Sequence, residues 1–470
     1  KMPLLTIPSG NVASAIGGAY KVDNSCRFND GDSAYLSRSL GSGNQKTFTF
    51  SAWIKRGVLD SEIHLFGQRE DDNNRTHIFI TNTGFFYFFS NNSAGNNVRV
   101  QTSRSLMDPS AWYHLVLAVD TTQSTNTNRV KMYVNGTQET VFQTTDYPVE
   151  DGNLVINNAV AHEIGSYDTS GGFFDGYMAE VVWIDGSQLT PSSFGEFDED
   201  SPTIWKPKDV SGLSSSKGTN GFYLDFEDSS NLGNDAFGGT DWGETNLAAT
   251  DQSTDTCTLN YSTFNPLDNT YGQGTFSEGN LKIVTSSSLY CTNTSTFNLT
   301  KGKWHFEVKV GDSNGKNCIG IAGATTPHVS GDSTLAFGDS SNEYSYTASG
   351  ELRHSGSSTG SWGSSFTNGD IIGCAFDLDN NQLFFYKNGT IQNSGTAFSI
   401  TDPTSTLSGG YFVGAGDFAS DNTSTMEYNF GSPSYSISSG NTDANGYGNF
   451  EYAVKSGHYA INSANLAEFG

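Results

Sequence analysis

Two β-rich runs in this chain end in the same turn dipeptide: Val130-Lys131-Met132-Tyr133-Val134-Asn135-Gly136-Thr137 and Leu383-Phe384-Phe385-Tyr386-Lys387-Asn388-Gly389-Thr390. A type I′ turn needs positive φ at both central residues, which Asn and Gly tolerate, so each run is predicted to fold back as a two-residue antiparallel hairpin. Each is preceded by another strand-like stretch, Tyr113 to Val119 and Ile371 to Leu378, closing on Asp120 and Asp379. The repetition predicts two β-sandwich domains of related design. Such sandwiches present loops for recognition more often than they enclose a catalytic centre.

Length and composition fit an all-β reading. A chain of 470 residues accommodates two or three domains, each large enough for its own core. Aromatic residues reach 13%, as expected of cores built from Phe, Tyr and Trp, while 53 Gly supply turns. Against 24 Lys and Arg stand 50 Asp and Glu, a formal charge of −26 that repels phosphate backbones and anionic lipid. Nucleic acid is therefore not an expected partner. No run approaches the roughly 20 apolar residues of a helical membrane span, so membrane insertion is not expected either. The five cysteines, Cys26, Cys257, Cys291, Cys318 and Cys374, form no C-x-x-C pair, and Cys318 and Cys374 lie in apolar strand patterns that predict buried thiols.

Strand signals become dense from Ser25 onward, separated by turns rich in Asn, Asp and Gly, and no helical period persists for three turns. One short helix is predicted over 192–197, with Thr190 as its cap and Pro191 at its first position. The order Phe48-Thr49-Phe50-Ser51-Ala52-Trp53-Ile54-Lys55, Trp112-Tyr113-His114-Leu115-Val116, the hairpin at Asn135-Gly136, then Ile164-Gly165-Ser166 and Phe174-Asp175-Gly176-Tyr177-Met178-Ala179-Glu180-Val181 resembles the laminin-G or pentraxin-like branch of the concanavalin A-like jelly rolls. The resemblance covers about 25–200 and implies two antiparallel sheets packed face to face.

A second resemblance covers about 271–432. Gly302-Lys303-Trp304-His305-Phe306-Glu307-Val308, Ile319-Gly320-Ile321-Ala322, Phe366-Thr367-Asn368-Gly369-Asp370-Ile371-Ile372-Gly373, Ala375-Phe376-Asp377-Leu378-Asp379 and the run to Gly389 are similar to a SPRY domain, another concanavalin-like sandwich whose members mostly bind partners through loops at one end. The domain reading is thus an N-terminal segment 1–24 available for attachment, a jelly roll 25–200, an acidic connector 201–270 packing partly on its neighbours, a SPRY-like sandwich 271–432 and a C-terminal extension 433–470. The linked arrangement, with Gly221-Phe222-Tyr223-Leu224-Asp225-Phe226 between the domains and Gly446-Tyr447-Gly448-Asn449-Phe450 after them, resembles tail-fibre and virion-surface proteins of marine bacteriophages. That resemblance implies a virion-surface location and a receptor-binding role toward a host-cell polysaccharide or protein. It also implies contact with other tail subunits and a homotrimer whose copies add avidity. A structural or decorating virion protein and, behind it, a glycan depolymerase are the alternative readings.

Chemistry-bearing clusters are few. Two-carboxylate glycosidases place both acids on one strand face, but Glu196-Phe197-Asp198-Glu199-Asp200 has Ser201 where the spacing needs the second acid, so no catalytic residue is assigned. The eight histidines are scattered without H-x-x-x-H spacing or a nearby cysteine. No cofactor is expected, with calcium as the one metal these residues could serve: Asp71, Asp72 and Asp168 are its candidate ligands, against the reading of a solvated turn. Asp175 is expected to be structural. A sugar site needs aromatic faces beside polar groups, and Tyr344, Tyr346, Arg353, His354 and Trp362 supply that mixture in the SPRY-like half. For Trp362 and one of the tyrosines the competing expectation is a place in the core.

Overall fold

The structure is a computed structural model and describes residues 20–169, 171–268, 274–285, 290–312, 316–323, 336–418 and 423–470. Most of the segment 1–24 lies outside the described residues. The chain divides into two compact units, Lys1–Leu259 and Asn260–Gly470.

In the first unit two eight-stranded sheets face each other. The first is centred on Trp112–Asp120, Thr47–Arg56 and Gly176–Asp185, the second on Val98–Ser105, Phe85–Asn91, Asn74–Ile80 and Ile63–Asp71. Inward-facing aromatics close the gap between them: Phe48 stacks on Trp183 with ring centroids 4.8 Å apart, and Phe50 lies parallel to Phe66 at 5.9 Å. The strand Gly176–Asp185 is buried along its whole length, because the first sheet's outer face is covered too.

That cover comes from the stretch expected to be a connector. Val210, Tyr223 and Phe237 pack on Val116, Ala118, Val182 and Ile184, while Trp205 and Cys257 pack beside Trp53, Trp112 and Tyr177. The same stretch contributes strands: Phe222–Leu224 pairs with Gly176–Asp185, Gly243–Thr245 with Tyr35–Ser39, and Gln252–Ser253 with Ser25–Phe28. Residues 201–259 thus complete the first unit, and the boundary falls after Leu259. Beneath the cover Lys55 and Asp255, each 1% exposed, form an ion pair of 2.7 Å, and Trp112 Nε1 donates to the other oxygen of Asp255 at 3.0 Å.

The helix expected over 192–197 is one turn of 3₁₀ helix, Pro191–Ser193, followed by the strand Gly195–Phe197. Thr190 does not cap it; its hydroxyl meets that of Ser192 instead. The ladder from Gly195–Phe197 to Trp205–Pro207 claims the backbone groups that a longer helix would have used. Tertiary pairing here overrides a valid start signal.

The second unit is a nine-stranded sheet packed on a six-stranded one. Its core joins Trp304, Phe306 and Val308 of Lys303–Asp312 with Ile319 and Ile321 of Asn317–Ala322, and Tyr346 stacks on Phe385 across the gap at 5.1 Å. The extension 433–470 belongs to this unit: Tyr459–Ala460 runs parallel to Lys303–Asp312, and the Glu307 carboxylate accepts the backbone N–H groups of Glu451 and Tyr452, both at 2.8 Å. The α-helix Ser463–Phe469 begins at Asn462, whose side chain accepts from Asn465 N–H. All five cysteines are buried, and none is in a disulfide.

Both expected hairpins form, and they match in detail. Asn135 and Gly136 have φ of 48° and 74°, Asn388 and Gly389 of 47° and 74°, as a type I′ turn requires. In each, the Asn N–H donates to a carbonyl on the preceding strand, of His114 or Ile371, and the Asn Oδ1 accepts that residue's N–H, all at 2.8 Å. In each, an aromatic ring from the segment that follows the sandwich lies against the turn glycine, Trp205 on Gly136 and Tyr452 on Gly389.

Candidate functional site

The aromatic pair proposed from sequence is in the core. Glu343–Thr347 is an inner strand of the six-stranded sheet, and its alternation turns Tyr344 and Tyr346 inward, 1% and 0% exposed. Their hydroxyls are occupied, Tyr344 with Thr401 and Tyr346 with the carbonyl of Ser364. Neither ring face is available to a sugar, which corrects that expectation. His354 is stacked on Tyr344 at 4.2 Å with its Nδ1 at the Glu343 carbonyl, and Arg353 is bound to Asp339. Trp362 is half-buried against Tyr346 and Phe385. The five residues are near one another, but as a packed seam rather than a ring-lined site.

The calcium candidates are divided by an arginine. Arg69 lies between Asp72, at 2.6 Å, and Asp168. Asp71 serves its own turn: the Asn74 side chain, donating at 3.0 Å, and then the N–H groups of Asn73 at 2.7 Å and Asn74 at 2.9 Å hold its carboxyl below the usual range. Among the described residues no three His, Cys, Asp or Glu side chains converge as a metal site. Asp175 has the structural part expected of it, its Oδ1 accepting the N–H of Val58. Glu196 and Asp198 share Lys206, at 3.6 and 3.5 Å, and Asp198 also accepts the N–H groups of Ser201 and Asp200.

A different surface has the properties that a sugar site needs. In Phe85–Asn91 five consecutive aromatics alternate: Phe86 and Phe88 enter the core, while Phe85, Tyr87 and Phe89 face away from it. Antiparallel register then sets cross-strand rows on the outer face of the second sheet. His64, Phe79, Tyr87 and Gln101 form one row, Gly67, His77, Phe89 and Arg99 the next, and Arg69, Arg75 and Asn91 the third. His64 stacks on Phe79 and Phe79 tilts against Tyr87, both at 4.8 Å, and Tyr87 meets Phe89 edge-on at 6.4 Å. Tyr167 covers both histidines, 4.5 Å from His64 and 4.7 Å from His77.

Charge on this face is mixed: Arg69, Arg75 and Arg99 stand beside Glu62, which is bonded to His64, beside Asp72 and Asp168, and beside Asp146, which lies directly opposite Arg99 in the ladder. Burial pushes His77 down to about 2, helped by His64, Arg75 and Arg69, and burial also lowers His64 against the pull of Glu62. Both imidazoles are neutral near pH 7. The guanidinium carbons of Arg75 and Arg99 each lie 5.2 Å from the centre of Phe89. The rings of Tyr87, Phe89 and Tyr167 are half-buried and so still partly open to solvent. Sequence reasoning missed this face, although five aromatics in one alternating strand were a visible signal for it.

Comparison with known proteins agrees with this architecture. Residues 29–192 match the family described as the Concanavalin A-like lectin/glucanases superfamily, and residues 303–423 match the SPRY domain family. The chain is a concanavalin A-like jelly roll followed by a SPRY domain. No curated protein matches it significantly. Solved structures similar to parts of this jelly roll–SPRY chain include the SPRY domain of human HERC1, at 18% identity and TM-score 0.28 over 35% of this chain and 96% of that one. A human SPRY domain matches at 21% identity and TM-score 0.24 over 32% and 90%. The heptameric SAP-like pentraxin of Limulus polyphemus matches at 18% identity and TM-score 0.28 over 37% and 80%. Lectin-like jelly rolls and SPRY domains are typically non-catalytic binding modules.

Proposed function

We propose that this jelly roll–SPRY chain is a non-catalytic recognition protein that binds a host-surface polysaccharide through the outer face of its first unit. The observation that carries the reading is the paired rows of aromatic side chains on that face, with Tyr87, Phe89 and Tyr167 half-buried, polar Gln101 beside Tyr87 and Asn91 in the adjoining row. Sugar rings stack their C–H faces on such aromatics, and amides reach the hydroxyls. The surface is open rather than a deep pocket, so one site is weak, and copies held together multiply its effect by roughly 10² to 10⁴. A virion surface, with the chain as a homotrimer in a tail fibre, supplies that setting; it is the setting implied by the resemblance of the whole arrangement.

The test is a glycan array probed with the soluble chain and with Tyr87→Ala/Phe89→Ala. The wild type binds at least one surface polysaccharide, the variant loses that signal while keeping its melting temperature within a few degrees, and neither releases reducing sugar. Unchanged binding by the folded double variant refutes the assignment of the site. Release of reducing ends refutes the non-catalytic reading.

A further inference from the structure

Resting on that reading, we infer that the polysaccharide recognised at this face is acidic, with carboxylates borne on its sugar rings. The chain as a whole carries twice as many acids as bases, 50 against 24, yet three arginines converge on the third row and its neighbour. They are not equally free. Arg69 is committed to Asp72 and Asp168. Arg75 reaches Asp72 only at 3.8 Å, the outer limit of an ion pair, and its Nε is buried without a hydrogen-bond partner. Arg99 makes no ion pair among the described residues, its one polar contact being Asn91 Oδ1 at 3.5 Å.

The guanidinium groups of Arg75 and Arg99 are both held over Phe89, one from each neighbouring strand. Two strand spacings of about 4.8 Å place their backbones about 10 Å apart with the ring between them. Stacking on an aromatic uses the flat face of a guanidinium and leaves its N–H edge for a planar, two-oxygen acceptor. A uronate residue meets both demands at once: its C–H face covers Phe89 or Tyr87, and its carboxylate takes the edge of Arg99 or Arg75. A neutral sugar offers these arginines only hydroxyl and ring oxygens, weaker acceptors than a carboxylate. The neutral histidines below add no charge, so the attraction comes from the two arginines. At physiological salt the Debye length is about 8 Å, so the remote acids of a −26 chain are screened while a contact ion pair is not.

The probes are polygalacturonate, alginate and hyaluronan, each beside its methyl-esterified form, which keeps the ring shape and removes the charge. Dextran sulfate serves as a non-carboxylate polyanion, and binding to the full chain is followed by calorimetry at about 0.15 M salt. At least one uronate polymer is expected to bind about 10-fold tighter than its ester, a difference of about 1.4 kcal/mol. Arg99→Gln and Arg75→Gln are expected to bring the acid and its ester to equal affinity. Equal affinity for acid and ester, both lost in Tyr87→Ala, overturns the acidic assignment and leaves the glycan reading standing. Tighter binding of dextran sulfate than of every uronate polymer also overturns it, and so does binding to none of them, with the array deciding the glycan reading separately.

Discussion

Replacing Gly136 by alanine tests how the first unit's hairpin is locked, and three other glycines separate the contributions. Every L-residue at φ near +74° pays a left-handed backbone cost of about 1–2 kcal/mol. Gly95, at φ +90° with nothing within 4 Å of an added Cβ, measures that cost alone in the first unit, and Gly369, at +84°, does so in the second. At Gly136 an ideal Cβ would lie 2.2 Å from Trp205 Cε3 and 2.4 Å from Cζ3. The indole has nowhere to go: it is 7% exposed, its Nε1 donates to His114 Nδ1 at 3.0 Å, and Phe197 abuts it edge-on at 4.9 Å. Overpacking of this kind adds about 1–3 kcal/mol, for a total of about 2–5 kcal/mol. At Gly389 the corresponding Cβ would lie 2.6 Å from Cδ1 of Tyr452, a half-buried ring with room to turn, so Gly389→Ala should stay close to the cost of Gly369→Ala. Scanning calorimetry of the full chain reads this directly, at about 2–4 °C per kcal/mol for domains of this size. The expected order of destabilisation is Gly136→Ala, then Gly389→Ala, then the two open glycines. Gly136→Ala no more harmful than Gly95→Ala would refute the argument that Trp205 is an immovable wall.

Two further outcomes concern buried charge in the first unit. Burial pushes Glu180 up to about 8 despite hydrogen bonds from Tyr223 at 2.7 Å and Tyr20 at 3.3 Å, so the folded chain holds this proton more tightly than the unfolded chain does. The stability from that proton is complete below the ordinary value of 4.5 and is lost as pH rises through about 8; Glu180→Gln should therefore flatten the fall in melting temperature between about pH 5 and about pH 9, and an unchanged slope counts against it. Asp255→Asn removes the carboxylate paired with buried Lys55 and should cost about 3–5 kcal/mol in denaturant unfolding, whereas Lys55→Met with Asp255→Asn should recover much of the loss; a double variant as unstable as the single one contradicts that.

How much of this was legible in the sequence depends on how local each determinant is. The hairpins were, because two residues set their own φ and the flanking strands have only to continue. The span 201–259 was not, since its strands are two or three residues long and find their partners far away, Ser253 opposite Ser25 and Thr245 opposite Tyr35. Nothing within a window of ten residues records such a pairing. The candidate site failed for a subtler reason. Alternation puts Tyr344 and Tyr346 on one face, but which face turns inward is decided by the opposing sheet, here by Phe385 stacked on Tyr346. Phe85 to Phe89 carried a stronger signal, because it does not need that choice. A strand with aromatics at both parities must turn some of them away from its own core whichever way it is oriented, and those that face away need a cover or a ligand. In the first sheet 201–259 supplies the cover, at Trp53 and Val116 among others. On the second sheet Tyr167 covers His64 and His77 and stops there, so Tyr87 and Phe89 stay half-open between Arg75 and Arg99. The contrast between one outer face that is roofed and one that is left partly bare is what singles out the latter as the place where a second molecule completes the packing.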